Sequence, residues 1–332
     1  MRFWDRFRQS RLIHVVQVVF ASVLLVLLWR IVDGDAALGL LAEADKRWLL
    51  AALVALTAQT VLTTLRWRLT ARQLGLALPF GPALREYYLS QMVNQTLPGG
   101  MAGDAGRAYR SRQSAGLVVS GQAVIFERLA GQAMLFVVMT LGFAWAALRP
   151  DAIDLPGWTV FLAIPAAATV ALALALVWGA PVLPGPAGRV LRALRGSVVM
   201  AFSGPRVLTR QIGLSLSATI CNLLAFAFCA RAIGTALSPA EVMVLVPLIL
   251  YSMVIPLSVS GWGIREGVAA TLFPIAGATA AAGLAASTAF GLVFLISTLP
   301  GLAGLLVRGR AEITPKFPAQ PPPPACRPRI SH

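Results

Sequence analysis

Six near-continuous apolar stretches leave this chain few options besides a bundle of membrane helices, because each is close to the roughly 20 residues that carry an α-helix across a bilayer. They run from Leu12 to Val32, Trp48 to Leu65, Leu117 to Leu148, Trp158 to Ala180, Gln211 to Ile233 and Ala280 to Val307. Hydrophobic residues make up 58% of the sequence and charged residues 12%. Soluble domains hold roughly 45–50% and about 25% respectively. The first stretch follows a basic start resembling a signal peptide, but it is too long and lacks a small-residue cleavage site after Arg30, so a retained anchor is expected.

Two further apolar segments are interrupted. Leu84 to Arg112 breaks at Asn94-Gln95-Thr96-Leu97-Pro98-Gly99-Gly100, and Glu241 to Gly277 breaks at Pro256-Leu257-Ser258-Val259-Ser260-Gly261-Trp262-Gly263. Uncoiled backbone at membrane depth is tolerated where protein buries it or where it lines a wet cavity, and paired breaks in two halves point to a transport site. The expected fold is therefore an all-α polytopic membrane protein with about six full spans and two re-entrant or broken-helix hairpins. Span, span, hairpin, span occurs twice, over about 12–148 and 158–307, with inverted topology. Both breaks carry a small-xxx-small step, Gly99 to Gly103 and Gly263 to Gly267, suited to close helix approach.

The net charge of +15 follows the loops. With both termini in the cytoplasm, the clusters Arg2 to Arg11, Arg66 to Arg85, Arg107 to Arg112, Arg189 to Arg210 and Arg308 to Arg329 fall inside, while Asp33, Asp35, Glu43, Asp45, Asp151, Asp154 and Glu241 fall outside. This distribution, with no basic and aromatic single-strand platform, argues against a nucleic-acid partner. Two histidines and the cysteines Cys221, Cys229 and Cys326 offer neither zinc-ligand spacing nor a nucleophilic triad. The glycine-rich breaks lack the Gly-Lys-Ser/Thr of a nucleotide loop, and no cofactor is expected. Between the halves, Gly188 to Arg210 has an apolar face beside Arg189, Arg192 and Arg195, as for a helix on the inner membrane surface. Residues 311–332 are expected to form a Pro-rich, disordered tail.

Ionised side chains inside a membrane span are costly and often functional. Glu127 and Arg128 lie well inside the Leu117 span, Arg265 and Glu266 follow the second break, and Asp104 and Arg107 close the first break nearer the cytoplasmic interface. The planar donor fork of Arg suits phosphate, so Arg107, Arg128 and Arg265 are candidate phosphate ligands and the carboxylates their counter-charges. Mutual neutralisation that locks the halves together would need the same residues. Asn94 and Ser260 are candidate polar contacts to substrate, and Asn94 alternatively caps carbonyls freed by Pro98. Pro98, Gly99, Gly100, Gly103, Pro256, Gly261 and Gly263 shape the backbone. Tyr87, Tyr88 and Trp262 are expected as interfacial anchors.

The segment Asn94 to Asp104 with Arg107, then Glu127-Arg128-Leu129, then Pro256 to Gly267, together resemble the flippase-like transmembrane domain of lysylphosphatidylglycerol synthases, over roughly Leu12 to Arg308. The resemblance implies a bacterial inner-membrane protein that translocates or binds a phosphate-bearing lipid, phospholipid or polyprenyl-linked. Gly99-Gly100 stands where relatives often carry Pro-Gly-Arg. The aminoacyl-transferase domain of the full synthases is not expected, so lysyl transfer is not assigned and the chain reads as no enzyme. The alternative is a lipid-binding scaffold for a lipid- or envelope-modifying enzyme.

Overall fold

The computed structural model describes residues 33–97, 100–113, 115–148, 185–254 and 260–302, with isolated positions between 19 and 31 and at 171 and 175. Among the described residues all regular structure is helical: α1 Gly34–Ala42, α2 Lys46–Gln73, α3 Phe80–Thr96, α4 Ala102–Ser111, α5 Gly116–Leu148, α6 Gly185–Phe202, α7 Pro205–Ala232, α8 Pro239–Tyr251, α9 Ile264–Leu272 and α10 Ala280–Thr298. Four helices there are long and apolar enough to cross a membrane: Lys46–Gln73, Gly116–Ala146, Pro205–Ala232 and Ala280–Leu302. The expected span Trp158 to Ala180 lies outside the described residues except at 171 and 175, and that of Leu12 to Val32 is described only at isolated positions. Pro98, Gly99, Pro256 to Val259 and the Pro-rich tail also lie outside the described residues.

Local chemistry sets the helix ends. Asp45 caps α2 by accepting from the Arg47 N–H at 2.8 Å, and Ser238 and Glu241 form a reciprocal capping box on α8. Leu97 ends α3 in an extended conformation, φ −103° and ψ 144°, as expected of a residue that precedes proline. Gly100 then takes φ 58° before α4 turns back along α3. The two helices meet backbone to backbone: a Cβ on Gly103 would lie 2.0 Å from the Ser90 carbonyl oxygen.

The Gln211 side-chain amide donates to the Thr70 hydroxyl at 2.7 Å and Arg66 donates to the Ser215 hydroxyl at 3.4 Å, so α2 and α7 run antiparallel at the centre of the bundle. Several further contacts are reciprocal. Helix α5 packs on α7 as α10 packs on α2, α4 on α5 as α9 on α10, and α8 on α5 as α3 on α10. Glycines set the closest of these approaches, Gly142 against the Met243 carbonyl and Gly283 against the Ala269 carbonyl. The larger apolar core gathers Phe226, Phe273, Phe290, Leu245 and Ile249 from the second half, with Leu56 and Met139 from the first. A smaller core around Trp67 and Phe126 receives Val198, Ala201 and Phe202, so the end of α6 is docked on α2 and α5.

Arg66 departs from the expectation of a cytoplasmic loop. It is buried inside α2, because that helix continues beyond Leu65 on a face carrying Thr60, Thr63 and Thr70, all of them buried as well. The hydroxyls of Thr60, Thr63 and Thr70 each donate to their own helix backbone, leaving the stripe polar but nearly self-satisfied.

A Cβ on Gly283 would stand 2.3 Å from the Ala269 carbonyl oxygen, where neither backbone can yield cheaply. Gly283→Val is expected to lower thermal stability by an overpacking cost of about 1–3 kcal/mol. Gly213→Ala, with open space at its Cβ, is expected to be neutral or stabilising. Melting of the purified protein in detergent reads both.

Candidate functional site

Helix α5 brings Glu127 to the middle of the bundle, where it is fully buried and held by two guanidinium groups. Arg66 approaches Oε1 at 2.5 Å from α2, and Arg107 approaches Oε2 at 2.8 Å from α4. The Tyr87 hydroxyl on α3 donates to Oε1 at 3.2 Å. Arg107 lies between two rings, 4.8 Å from the Trp67 centroid and 4.5 Å from that of Tyr87, and bonds Asp104 at 2.9 Å. Asp104 in turn accepts from the Ser90 hydroxyl and the Asn94 amide, each at 3.1 Å, and forms an ion pair with Arg128 at 2.7 Å. Asn94 uses its oxygen to accept from the Gly103 N–H at 2.8 Å, closing the first break on itself.

Three cations therefore face two carboxylates, a surplus of one positive charge in this network. Its members are unequally covered. Arg66 and Arg107 have side-chain exposures of 6% and 1%, whereas Arg128 is exposed by 36% and donates to the Gly100 carbonyl at 3.1 Å. A cavity of about 500 Å³ opens beside it, lined by Arg66, Asn94, Asp104, Glu127 and Arg128 from the network and by Gln59, Gln132, Thr219 and Asn222 from α2, α5 and α7.

The second break forms a separate and sealed cluster. Arg265 bonds its neighbour Glu266 at 2.5 Å and the Ser287 hydroxyl at 2.9 Å, with both charged residues fully buried. Trp262 and Phe290 place their rings 5.1 Å and 5.4 Å from the guanidinium carbon. Glu266 reaches back to accept from the Gly263 N–H at 2.7 Å, which caps α9. Gly291 leaves the room this arginine fills, since a Cβ there would stand 2.3 Å from its Nη2.

Of the residues singled out from the sequence, Asn94, Asp104, Glu127, Arg128 and Ser260 line the one cavity. Arg107 stands behind it, and Arg265 and Glu266 lie outside its lining. The two breaks nevertheless meet, because the Ser260 hydroxyl donates to the Gln95 side-chain oxygen across the halves. Asp104 and Arg107 are buried in the bundle, Arg107 being paired with Glu127. Glu127 and Arg128 turn to different partners, since adjacent helical residues point apart. One expectation is corrected. Tyr87 and Tyr88 are buried rather than interfacial, and Trp262 stacks on Arg265. Sequence reasoning missed Arg66, whose placement on the threonine stripe of α2 was the available signal, and Gly131, which makes room for it. Among the described residues no set of three His, Cys, Asp or Glu side chains gathers as metal ligands.

Removing one charge from a buried network leaves its partners uncompensated, at a cost of about 3–5 kcal/mol. Glu127→Gln is expected to lower the melting temperature sharply. Glu86→Gln, which breaks the part-exposed pair with Arg110, is expected to cost under about 1 kcal/mol. Thermal melts of the two variants beside the parent separate a buried keystone from a surface pair.

No curated protein matches the chain. Residues 14–301 match the family described as the lysylphosphatidylglycerol synthase TM region, in agreement with the resemblance carried by the two breaks and Glu127-Arg128. The chain is a membrane protein belonging to that family.

Proposed function

We propose that this protein translocates a phosphate-bearing lipid between the leaflets of the bacterial inner membrane, holding the head group in the cavity beside Arg128. The observation that carries this reading is the surplus arginine charge, presented by the most exposed of three guanidinium groups to a cavity of about 500 Å³. That size falls within the roughly 300–1,000 Å³ usual for small-molecule sites. Membership of a family named for a lipid synthase's membrane region agrees with a lipid ligand.

The chain is read as two inverted repeats. Helices α2 and α7 occupy corresponding places in the two halves and run antiparallel, which is the relation an inverted repeat requires. The reciprocal contacts of α5 with α10 in the opposite halves support the same reading. On this view α3 with α4, and α8 with α9, dip into the membrane from opposite faces and their breaks meet at Gln95 and Ser260. Rocking of one half against the other would expose the cavity to each side in turn. The distribution of basic loops supports a cytoplasmic position for both termini, and on this reading the protein acts without covalent chemistry of its own.

Reconstitution in liposomes carrying a fluorescent phosphatidylglycerol tests this. Loss of one charge-assisted contact to phosphate, about 1.5–3 kcal/mol, is expected to slow translocation roughly ten- to a hundredfold in Arg128→Ala. Arg189→Ala on the exposed face of α6 is expected to leave the rate unchanged. Equal loss in both variants at equal folded yield would contradict the site. A parent protein that binds the lipid without moving it would replace translocation with a scaffold role.

A further inference from the structure

The cavity has three walls of different chemistry, and together they specify the ligand more closely than a phosphate does. The first wall is cationic. Arg128 spends its Nε on Asp104 and one terminal nitrogen on the Gly100 carbonyl, leaving Nη1 without a bond among the described residues. The carboxylates beside it are already taken up. Asp104 accepts from Ser90 and Asn94 and is ion-paired with Arg107 and Arg128, and Glu127 accepts from Arg66, Arg107 and Tyr87. An ammonium group entering here finds cations at every carboxylate.

The second wall is neutral and unfilled. The side chains of Gln59, Gln132, Thr219 and Asn222 line the cavity, and none makes a hydrogen bond among the described residues. The Gln59 side-chain oxygen is buried without a partner. Gln59 and Asn222 share one level: α2 and α7 run antiparallel from the Arg66–Ser215 contact, so two turns back along α2 to Gln59 correspond to two turns forward along α7 to Asn222, with Thr219 one turn nearer that contact. That places Gln59 and Asn222 roughly 10 Å along the helix axes from Arg66, and Gln132 one turn from Arg128. Four donors and acceptors of no net charge fit hydroxyl groups, which both donate and accept.

The third wall is the mouth. Among the described lining residues, Met101, Ile125 and Leu129 are the exposed ones, at 59%, 52% and 39%, and all three are apolar. Ile125 and Leu129 flank Arg128 on α5, and Met101 follows the carbonyl that Arg128 bonds. A mouth for a water-soluble ligand would be edged with polar groups, whereas this one suits hydrocarbon.

Resting on the lipid reading above, we propose that the ligand is an anionic lipid with an uncharged polyhydroxyl head: phosphate on Arg128, hydroxyls on Gln59, Gln132, Thr219 and Asn222, and chains leaving over Met101, Ile125 and Leu129. A sugar or polyol phospholipid has this form, and a lipid whose head ends in an ammonium does not.

Binding by the purified full chain in uncharged detergent tests the proposal, read by native mass spectrometry and thermal shift. The probes are phosphatidylinositol, phosphatidic acid, phosphatidylethanolamine and the chain-free glycerophosphoinositol. The added hydrogen bonds should make phosphatidylinositol about tenfold or more tighter than either of the other two lipids. Gln132→Leu and Asn222→Leu should erase that preference while retaining phosphatidic acid binding, and glycerophosphoinositol should bind far more weakly than its lipid. If Asn222→Leu does not fold, Gln132→Leu and Thr219→Val carry the same comparison. Equal affinity for phosphatidylinositol and phosphatidic acid in the parent overturns the polyol head, as does a preference for phosphatidylethanolamine. Equal affinity for glycerophosphoinositol and phosphatidylinositol overturns the apolar mouth. A retained polyol preference with no translocation in liposomes would remove the transport reading alone.

Discussion

One carboxylate holds the first half of this protein together. Glu127 receives a guanidinium from α2, another from α4 and a phenol from α3, so a single side chain on α5 ties the broken pair of helices to both neighbouring spans. Two buried arginines lean on it, since an uncompensated buried cation costs several kcal/mol even after relaxation. The same arrangement decides where free charge is left. Glu127 is consumed by Arg66 and Arg107, so the less covered Arg128 has only part of Asp104 to itself and turns its remaining donor to the cavity.

The two breaks share a design but not a state. Each ends a helix, spends glycines at positive φ and begins a short second helix with an acid near its first turn, Asp104 in α4 and Glu266 in α9. In the first, the ions face a cavity. In the second, Arg265 and Glu266 are closed in by Trp262, Ser287 and Phe290, and room for the guanidinium is made by leaving residue 291 without a side chain. The Ser260 to Gln95 hydrogen bond joins the two breaks.

Much of this was legible in the sequence because hydrophobic run length and the Pro and Gly breaks act locally. The helices α2, α5, α7 and α10 follow from runs at Trp48, Leu117, Gln211 and Ala280, and α3 stops where Leu97 meets Pro98. The membrane family followed from the same motifs. What could not be read locally was partner choice. Asp104 with Arg107 at a three-residue spacing is a helical pair and was visible, but Glu127 finds Arg66 across 61 residues and Arg128 finds Asp104 across the hairpin. Arg66 was hidden because loops also collect arginine at the ends of spans, and only the threonine spacing along α2 separates the two cases. Tyr87 was hidden for a related reason: an aromatic ring near a span end serves an interface or a buried cation equally well, and Arg107 decides which.

The central claim is that one cavity serves both sides of the membrane. Cysteine placed at Gln132 or Thr219, in a chain whose Cys221, Cys229 and Cys326 are replaced by alanine, can be challenged in sealed vesicles with a membrane-impermeant maleimide added to one compartment at a time. Alternating exposure predicts labelling from either compartment, slowed in both cases by a bound anionic lipid. Labelling that reaches these positions from a single compartment under all lipid conditions would contradict it.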